Sequence, residues 1–159
     1  MIPFLMLMAS QKIDPHTAMA PKPQAKNPAR VNQLKDLKTT TVKVGAHSFK
    51  CWVMDNDSKR AEGMMFLTDK EVKAKEGMLF VFDKDRPQGF WMHNTLIGLD
   101  IAYIRKDGTI VSIATGKPLD DTTLPSEAPA MYVLEVKAGT LKKLGIKKGM
   151  KAKIDAKLK

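Results

Sequence analysis

The segment from Phe90 to Asp100 holds the residues of this sequence best suited to chemistry. Two large aromatic side chains, Phe90 and Trp91, are followed closely by an amide (Asn94), a hydroxyl (Thr95) and the carboxylate of Asp100. Successive residues of a strand face opposite sides, so one ring can enter the core while the other stays available to a ligand. We therefore predict a pocket that hydrogen-bonds a small polar ligand, a sugar or an anion, against an aromatic wall.

Arg60 and Ser126 complete the predicted ligand-binding set. A structural interpretation of the same residues stays open. In it, Asn94 and Thr95 satisfy backbone groups in a tight loop, and Ser126 does the same in its own loop. Asp100 then caps a backbone group or pairs with Arg60.

A hydrolase-type enzyme is the alternative function, with Asp100 acting together with Asn94 or His93. A nucleophile has little support, because Ser126 lacks the glycine-flanked elbow that exposes a catalytic serine. The histidines lie far apart, and neither paired cysteines nor an H-x-x-x-H spacing occurs. The sequence therefore predicts no metal site and no cofactor. The favoured function is a non-enzymatic small-ligand-binding or accessory domain.

Short β-rich runs separated by turns dominate the chain after residue 38. Helix signals are confined to short stretches that begin near Asp57, Thr68 and Thr140. This pattern predicts a mainly β fold for residues 39–159, a small single-domain barrel or sandwich with one to three short helices. Prolines and a scarcity of apolar residues mark residues 10–38 as a linker, so residues 1–38 are assigned to an apolar start and a linker.

The positive charge is concentrated at the end of the chain. The formal net charge is +10, and residues 137–159 alone contain nine lysines and one acidic residue. This segment has no interleaved aromatic residues, which argues against base stacking, so no specific nucleic-acid partner is predicted. Weak electrostatic contact with an anionic surface is the partner interaction that the lysines allow.

The first residues are apolar, and Ala18-Met19-Ala20 has the small-x-small form of an export cleavage site. No positive charge precedes the apolar run, which makes the match to a signal peptide incomplete. The single cysteine, Cys51, excludes an intramolecular disulfide and fits either a reducing compartment or an exported protein. Export to the periplasm or beyond is slightly favoured, with a cytoplasmic location as the alternative.

The middle and late parts of the chain carry a distinctive set of motifs. They are Gly63-Met64-Met65, Gly77-Met78-Leu79-Phe80, Phe90-Trp91-Met92-His93-Asn94-Thr95, Leu99-Asp100-Ile101 and Tyr132-Val133-Leu134-Glu135. This pattern resembles the family catalogued as domain of unknown function 192, over about residues 40 to 155. The resemblance implies a compact, mainly β domain, often in exported proteins, with no established activity.

Four positions depart from that family pattern. Met64 stands in place of leucine, Gly98 in place of proline, His93 in place of lysine or arginine, and Leu67 where an arginine is common. A cationic role at positions 67 and 93 is therefore not expected, since histidine is mostly neutral at pH 7.

Overall fold

A computed structural model describes residues 26–154 and residue 158. The strands within this part are β1 (Thr39–Val44), β2 (His47–Met54), β3 (Glu76–Arg86), β4 (Gly89–Phe90), β5 (Leu99–Ile104), β6 (Ile110–Gly116), β7 (Leu124–Pro125), β8 (Ala130–Lys137) and β9 (Ala152–Lys153). The helices are α1 (Asp57–Glu62) and α2 (Thr140–Lys143), and a 3-10 turn covers Leu34–Asp36. The apolar start, the cleavage-like site at 18–20 and the end of the lysine-rich segment lie outside the described residues.

Seven strands form one curled sheet, a half-barrel, in the order β6-β5-β8-β3-β2-β1-β9, while β4 and β7 pair separately. The predicted mainly β fold with one to three short helices is confirmed. All neighbouring strands are antiparallel except β2 and β3, which run parallel with Val53 beside Leu79. Parallel neighbours need a connection that crosses the sheet, so α1 and residues 63–75 are laid over one face.

Both faces of the central strands are buried, which explains the nearly continuous apolar runs of β3, β5 and β8. One face, including Phe49, Leu79 and Leu134, packs under Leu141 of α2. We call it the α2 face. The opposite face is covered by the crossover and is called the crossover face; its buried side chains include Trp52, Met54, Met64, Leu67, Val72, Met78, Phe80, Ile101 and Val133.

Part of the segment assigned from sequence to the linker packs against the crossover. The Nη1 atom of Arg30 donates to the carbonyls of Gly63 and Met65 at 2.9 and 2.5 Å, and its Nη2 lies 3.4 Å from a carboxylate oxygen of Glu62. Leu34 is also buried. Residues 30–34 therefore fix the position of the segment that follows α1.

The helix predicted after Thr68 is wrong, since residues 68–72 form turns. The capping interaction itself is present: a carboxylate oxygen of Glu71 accepts from the backbone N–H and the hydroxyl of Thr68 at 2.8 and 2.9 Å. The other oxygen of Glu71 accepts from Asn27, so this side chain ties the turn to the N-terminal segment instead of starting a helix. None of the described helices is long and apolar enough to span a membrane.

Candidate functional site

Three loops meet at one end of the crossover face, and backbone hydrogen bonds join them. The N–H of Phe66 donates to the carbonyl of Asn94 at 2.9 Å, and the N–H of Leu119 donates to the carbonyl of Thr95 at 3.0 Å. Phe66, Asn94 and Leu119 have φ angles of 62°, 51° and 61°, and among the described residues no other non-glycine residue has a positive φ. Backbone held in this sparsely populated region concentrates at functional sites, which marks this junction as a candidate.

A small cavity of about 40 Å³ opens beside the junction. We call it the Glu135 cavity. Its walls combine aromatic, thioether and polar side chains and are formed by Arg60, Ala61, Glu62, Gly63, Met64, Met65, Phe80, Phe90, Trp91, Thr95 and Glu135.

The carboxyl group of Glu135 is the most unusual group in this cavity. Glu135 lies in the centre of the sheet, on the crossover face, between Met78 of β3 and Ile101 of β5. Its side chain is fully buried, and its Oε2 atom has no hydrogen-bond partner among the described residues. Burial raises the pKa of Glu135 to about 8, because the apolar surroundings disfavour the charged form. A buried carboxyl with a raised pKa that lines a cavity is a candidate binding or proton-transfer group.

The adjacent aromatic residues divide between core and surface, as the alternation of an extended chain requires. Phe90 packs edge-on against Phe80 and Tyr103, with ring centroids 4.8 and 6.0 Å apart. Trp91 is half exposed and stacks on the ring of His93 at 4.8 Å. The rings of Phe80, Phe90 and Trp91 thus extend from the buried carboxyl to solvent.

Arg60 borders the Glu135 cavity from α1. Its Nη1 donates to the carbonyl of Val81 at 2.8 Å and its Nη2 to Asp57 at 2.7 Å, so both terminal nitrogens are engaged. Its guanidinium also lies 5.3 Å from the centre of the Phe82 ring. Arg60 separates this cavity from a wider cleft of about 600 Å³ that is lined in part by Phe82 and Arg86.

Asp100 occupies the opposite side of the sheet. It shares the α2 face with Ala102, and its two carboxylate oxygens accept from the Thr115 hydroxyl at 3.0 Å and from the backbone N–H of Leu141 at 2.9 Å. It does not line the Glu135 cavity. Asp100 therefore anchors the start of α2. Its hydrogen-bond partners are Thr115 and Leu141, and not Arg60, the partner considered from sequence.

The other sequence-predicted residues lie around the junction or beyond it. Thr95 is buried in the cavity wall, and its hydroxyl donates to the carbonyl of His93 at 3.1 Å. The carbonyl of Asn94 accepts the junction hydrogen bond from Phe66. His93 is exposed, and its Nδ1 lies 2.8 Å from Oδ1 of Asp121. Ser126 is outside this cavity and accepts from the N–H of Gln88 at 3.0 Å, a bond within its own pair of loops.

Comparison with known proteins assigns the family. The model of the DUF192 family, described as an uncharacterized ACR, matches residues 39–154. The chain belongs to the DUF192 family. No curated protein matches it.

Two crystal structures resemble this DUF192 chain. One, a "putative transcription regulator" from Sinorhizobium meliloti 1021, is 32% identical with a TM-score of 0.70, over 74% of this chain and 95% of that one. The other, a protein of unknown function from Novosphingobium aromaticivorans, is 33% identical with a TM-score of 0.71, over 82% of this chain and 99% of that one. The fold of this DUF192 domain is therefore shared by two solved structures.

Glu135 was not among the residues predicted from sequence. In the run from Tyr132 to Val136, the alternating apolar residues Tyr132, Leu134 and Val136 mark one side of a strand and place Glu135 on the other. A signal was nevertheless present, because Met131 and Val133 make the other side of the strand apolar as well. A single carboxyl on a strand that is apolar on both sides indicates a buried acid.

Two lysines of the described C-terminal part of this DUF192 domain, Lys151 and Lys153, lie in or next to the edge strand β9. Lys153 is directly opposite Lys43 of β1, and a groove of about 390 Å³ is lined by Lys43, Gly45, Met150, Lys151 and Lys153. Lys151 is bound to Asp107 at 2.9 Å. Contact of this edge with an anionic surface stays a prediction. Within the described part of the chain, no group of three metal-ligating acidic, cysteine or histidine side chains occurs.

Proposed function

We propose that this DUF192 protein is a non-enzymatic domain that binds a small polar ligand in the Glu135 cavity. One observation carries the proposal: Glu135 is fully buried in the wall of a cavity, and its Oε2 atom has no hydrogen-bond partner within residues 26–154. Buried polar groups are almost always hydrogen-bonded, and an unsatisfied one costs about 1–3 kcal/mol. A ligand that hydrogen-bonds to Glu135 would remove this cost on binding.

The surroundings support recognition of a ligand. Trp91 is 51% exposed at the mouth, a position from which an indole ring can stack on the part of a ligand that remains outside. The hydrogen bonds of Phe66 to Asn94 and of Leu119 to Thr95 fix the surrounding loops before any ligand arrives. A preorganised site avoids the cost of ordering loops on binding.

Binding is favoured over the hydrolase alternative. Both oxygens of Asp100 already accept structural hydrogen bonds, on the face of the sheet opposite the Glu135 cavity. His93 is exposed, pairs with Asp121 and stacks on Trp91. The three residues of the hydrolase hypothesis therefore do not converge on one concave site.

The test is a titration of the full chain with sugars, nucleotides, metal ions, inorganic anions and small amines, followed by the Trp91 indole signal in NMR spectra and by thermal shift. We expect at least one class to bind, and we expect Trp91→Ala and Glu135→Gln each to weaken it at least tenfold. Glu127→Gln is the matched control, because Glu127 is exposed and lies outside the cavity wall. Absence of binding across the panel, or binding untouched by both cavity variants, contradicts the proposal.

Export completes the proposal and rests on the small-x-small site at residues 18–20 alone. Sequencing the N-terminus of the mature protein from its native host tests it. A chain that begins shortly after residue 20 supports export, and a chain that retains Met1 contradicts it.

A further inference from the structure

We infer that the Glu135 cavity receives one primary ammonium group, which donates hydrogen bonds to Oε2 of Glu135 and to the hydroxyl oxygen of Thr95. The inference rests on the proposed ligand-binding function and names the chemical class of the ligand. Four properties support this inference: the size of the cavity, and the free hydrogen-bonding capacity, the charge and the aromatic character of its walls.

Two oxygens of the wall can accept hydrogen bonds from a guest. Oε2 of Glu135 has no partner. Thr95 uses its only proton on the carbonyl of His93, which leaves lone pairs of its oxygen for a donor. Nη1 and Nη2 of Arg60 are occupied by the Val81 carbonyl and by Asp57. An ammonium group brings three donors to these two oxygens once Glu135 is ionised.

The charges of the wall balance except for one. Arg60 is paired with Asp57 at 2.7 Å, and Glu62 is paired with Arg30 at 3.4 Å. Ionised Glu135 is therefore the single uncompensated charge facing the cavity. A monovalent cation neutralises it, while an anion would face a buried carboxylate at close range.

Size and wall chemistry narrow the cation further. One buried water, a single heavy atom, occupies about 10–15 Å³. A cavity of about 40 Å³ therefore holds a group of about two to three heavy atoms. A –CH₂–NH₃⁺ group fits, and a quaternary ammonium or a whole sugar does not. The rings of Phe80, Phe90 and Trp91 line the remaining wall, and aromatic faces attract cations, most strongly where water is excluded.

Binding must release a proton. Burial raises the pKa of Glu135 to about 8, so at neutral pH the carboxyl is mostly protonated and must give its proton to solvent when the cation enters. Tyr103, which faces Glu135 from β5, stays neutral because burial raises its pKa. Arg60 and Glu62, the charged groups that α1 presents to the cavity, are both paired. Affinity should therefore rise about tenfold per pH unit below pH 8 and level off above it.

Calorimetry of the full chain with methylammonium at pH 6, 7, 8 and 9 tests the inference, since a primary ammonium keeps its own proton up to about pH 9. We expect affinity to rise about fiftyfold from pH 6 to 8, with a buffer-dependent enthalpy that reports proton release. Methanol, which has the same number of heavy atoms, and formate, which has one more, should bind at least tenfold more weakly. Glu135→Gln should abolish the pH dependence and weaken methylammonium binding at least tenfold. Glu127→Gln, at an exposed glutamate paired with Lys148, should change neither.

The outcomes separate the two proposals. If methanol or formate binds more tightly than methylammonium and Trp91→Ala removes that binding, the ammonium inference is overturned and the ligand-binding function stands. Affinity for methylammonium that is independent of pH, or unchanged in Glu135→Gln, also overturns the inference. If none of these probes, and none of the wider panel, binds, both fall. Near-ultraviolet circular dichroism of each variant verifies that it is folded, and Thr95→Val is a second cavity variant should Glu135→Gln unfold.

Discussion

The backbone N–H of Phe66 donates to the carbonyl of Asn94 at 2.9 Å, and both residues hold left-handed φ angles. This pair joins the end of the crossover to the loop that carries Trp91. Two residues in a costly backbone conformation are thus linked at the border of the Glu135 cavity, where they fix its mouth.

Replacing Asn94 tests how much of the stability of this junction depends on a residue that tolerates a left-handed φ angle. Left-handed backbone costs a residue with a β-carbon about 1–2 kcal/mol, and asparagine tolerates it better than most. Asn94→Val should lower the free energy of unfolding by about 1–2 kcal/mol, whereas Asn94→Gly should stay within about 0.5 kcal/mol of the parent. Urea denaturation followed by tryptophan fluorescence measures both. Equal losses in the two variants would show that the Asn94 side chain, not its φ angle, is what matters.

Glu135 should make stability fall as pH rises. The pKa of its carboxyl is about 8 in the folded protein and near the ordinary 4.5 when unfolded, so between these values the folded state holds more protons. The contribution of Glu135 to the free energy of unfolding is then highest below about pH 4.5. It declines by up to about 1.4 kcal/mol per pH unit toward pH 8 and is level above that pH. Urea unfolding of wild type and Glu135→Gln at pH 5, 6, 7 and 8 isolates this contribution as the difference between them.

The difference is needed because other groups also titrate in this range, and glutamine keeps the shape of the protonated carboxyl without ionising. Glu127→Gln serves as the control and should give the pH dependence of the wild type, because Glu127 is exposed. Parallel curves for wild type and Glu135→Gln would mean that the folded pKa of Glu135 is ordinary.

Arg30 should be far more important to stability than its place in a proline-containing segment indicates. Arg30→Met removes two hydrogen bonds to carbonyls of the crossover and leaves Glu62 without its cationic partner. We expect a loss of about 3 kcal/mol, and Arg30→Lys should recover little of it, because an ammonium cannot reproduce the planar fork. Lys35→Met, at an exposed lysine, is the control and should cost less than about 0.5 kcal/mol. A loss below 1 kcal/mol for Arg30→Met would contradict this role.

Asp100 should behave as a structural anchor. Asp100→Ala leaves the buried N–H of Leu141 without an acceptor and should cost about 1–3 kcal/mol, with faster amide exchange at Leu141. Asp121→Ala, at an exposed carboxylate, should cost less than about 0.5 kcal/mol. Ligand binding in the Glu135 cavity should be unchanged in Asp100→Ala at temperatures where it is folded. Loss of binding with full stability would instead return Asp100 to the functional site.

Strand positions could be predicted well because burial leaves a local pattern. The β-rich runs of the sequence at residues 39–44 and 99–104 coincide with β1 and β5. The parallel pairing of β2 and β3 could not be predicted, because strand order depends on how a distant segment covers the sheet. The failed helix after Thr68 shows the same limit: its capping pair forms, but Glu71 is also bound to Asn27, far away in the chain.

The candidate site was predictable on its exposed side and hidden on its buried side. Phe90 and Trp91 are predicted as ligand-binding residues because they lie next to polar residues in the sequence, and both line the cavity. The buried carboxyl was overlooked because period-two alternation places a polar residue on the solvent side of a strand. That inference holds for a sheet with one covered face, and β8 is covered on both. Met131 and Val133, on the same side of β8 as Glu135, are the sequence signal that this side is covered as well.

The parallel pair β2–β3 has a consequence for how this family can diversify. The crossover is both an obligatory connector and one wall of the cavity, contributing Arg60, Gly63, Met64 and Met65. Met64, Leu67 and Val72 of the crossover are buried in the core, whereas Arg60, Ala61 and Met65 border the cavity outside it. Selectivity can therefore be varied at the crossover positions of the wall that lie outside the core, Arg60, Ala61 and Met65, and a library randomised at these three is the natural starting material for evolving new receptors on this scaffold.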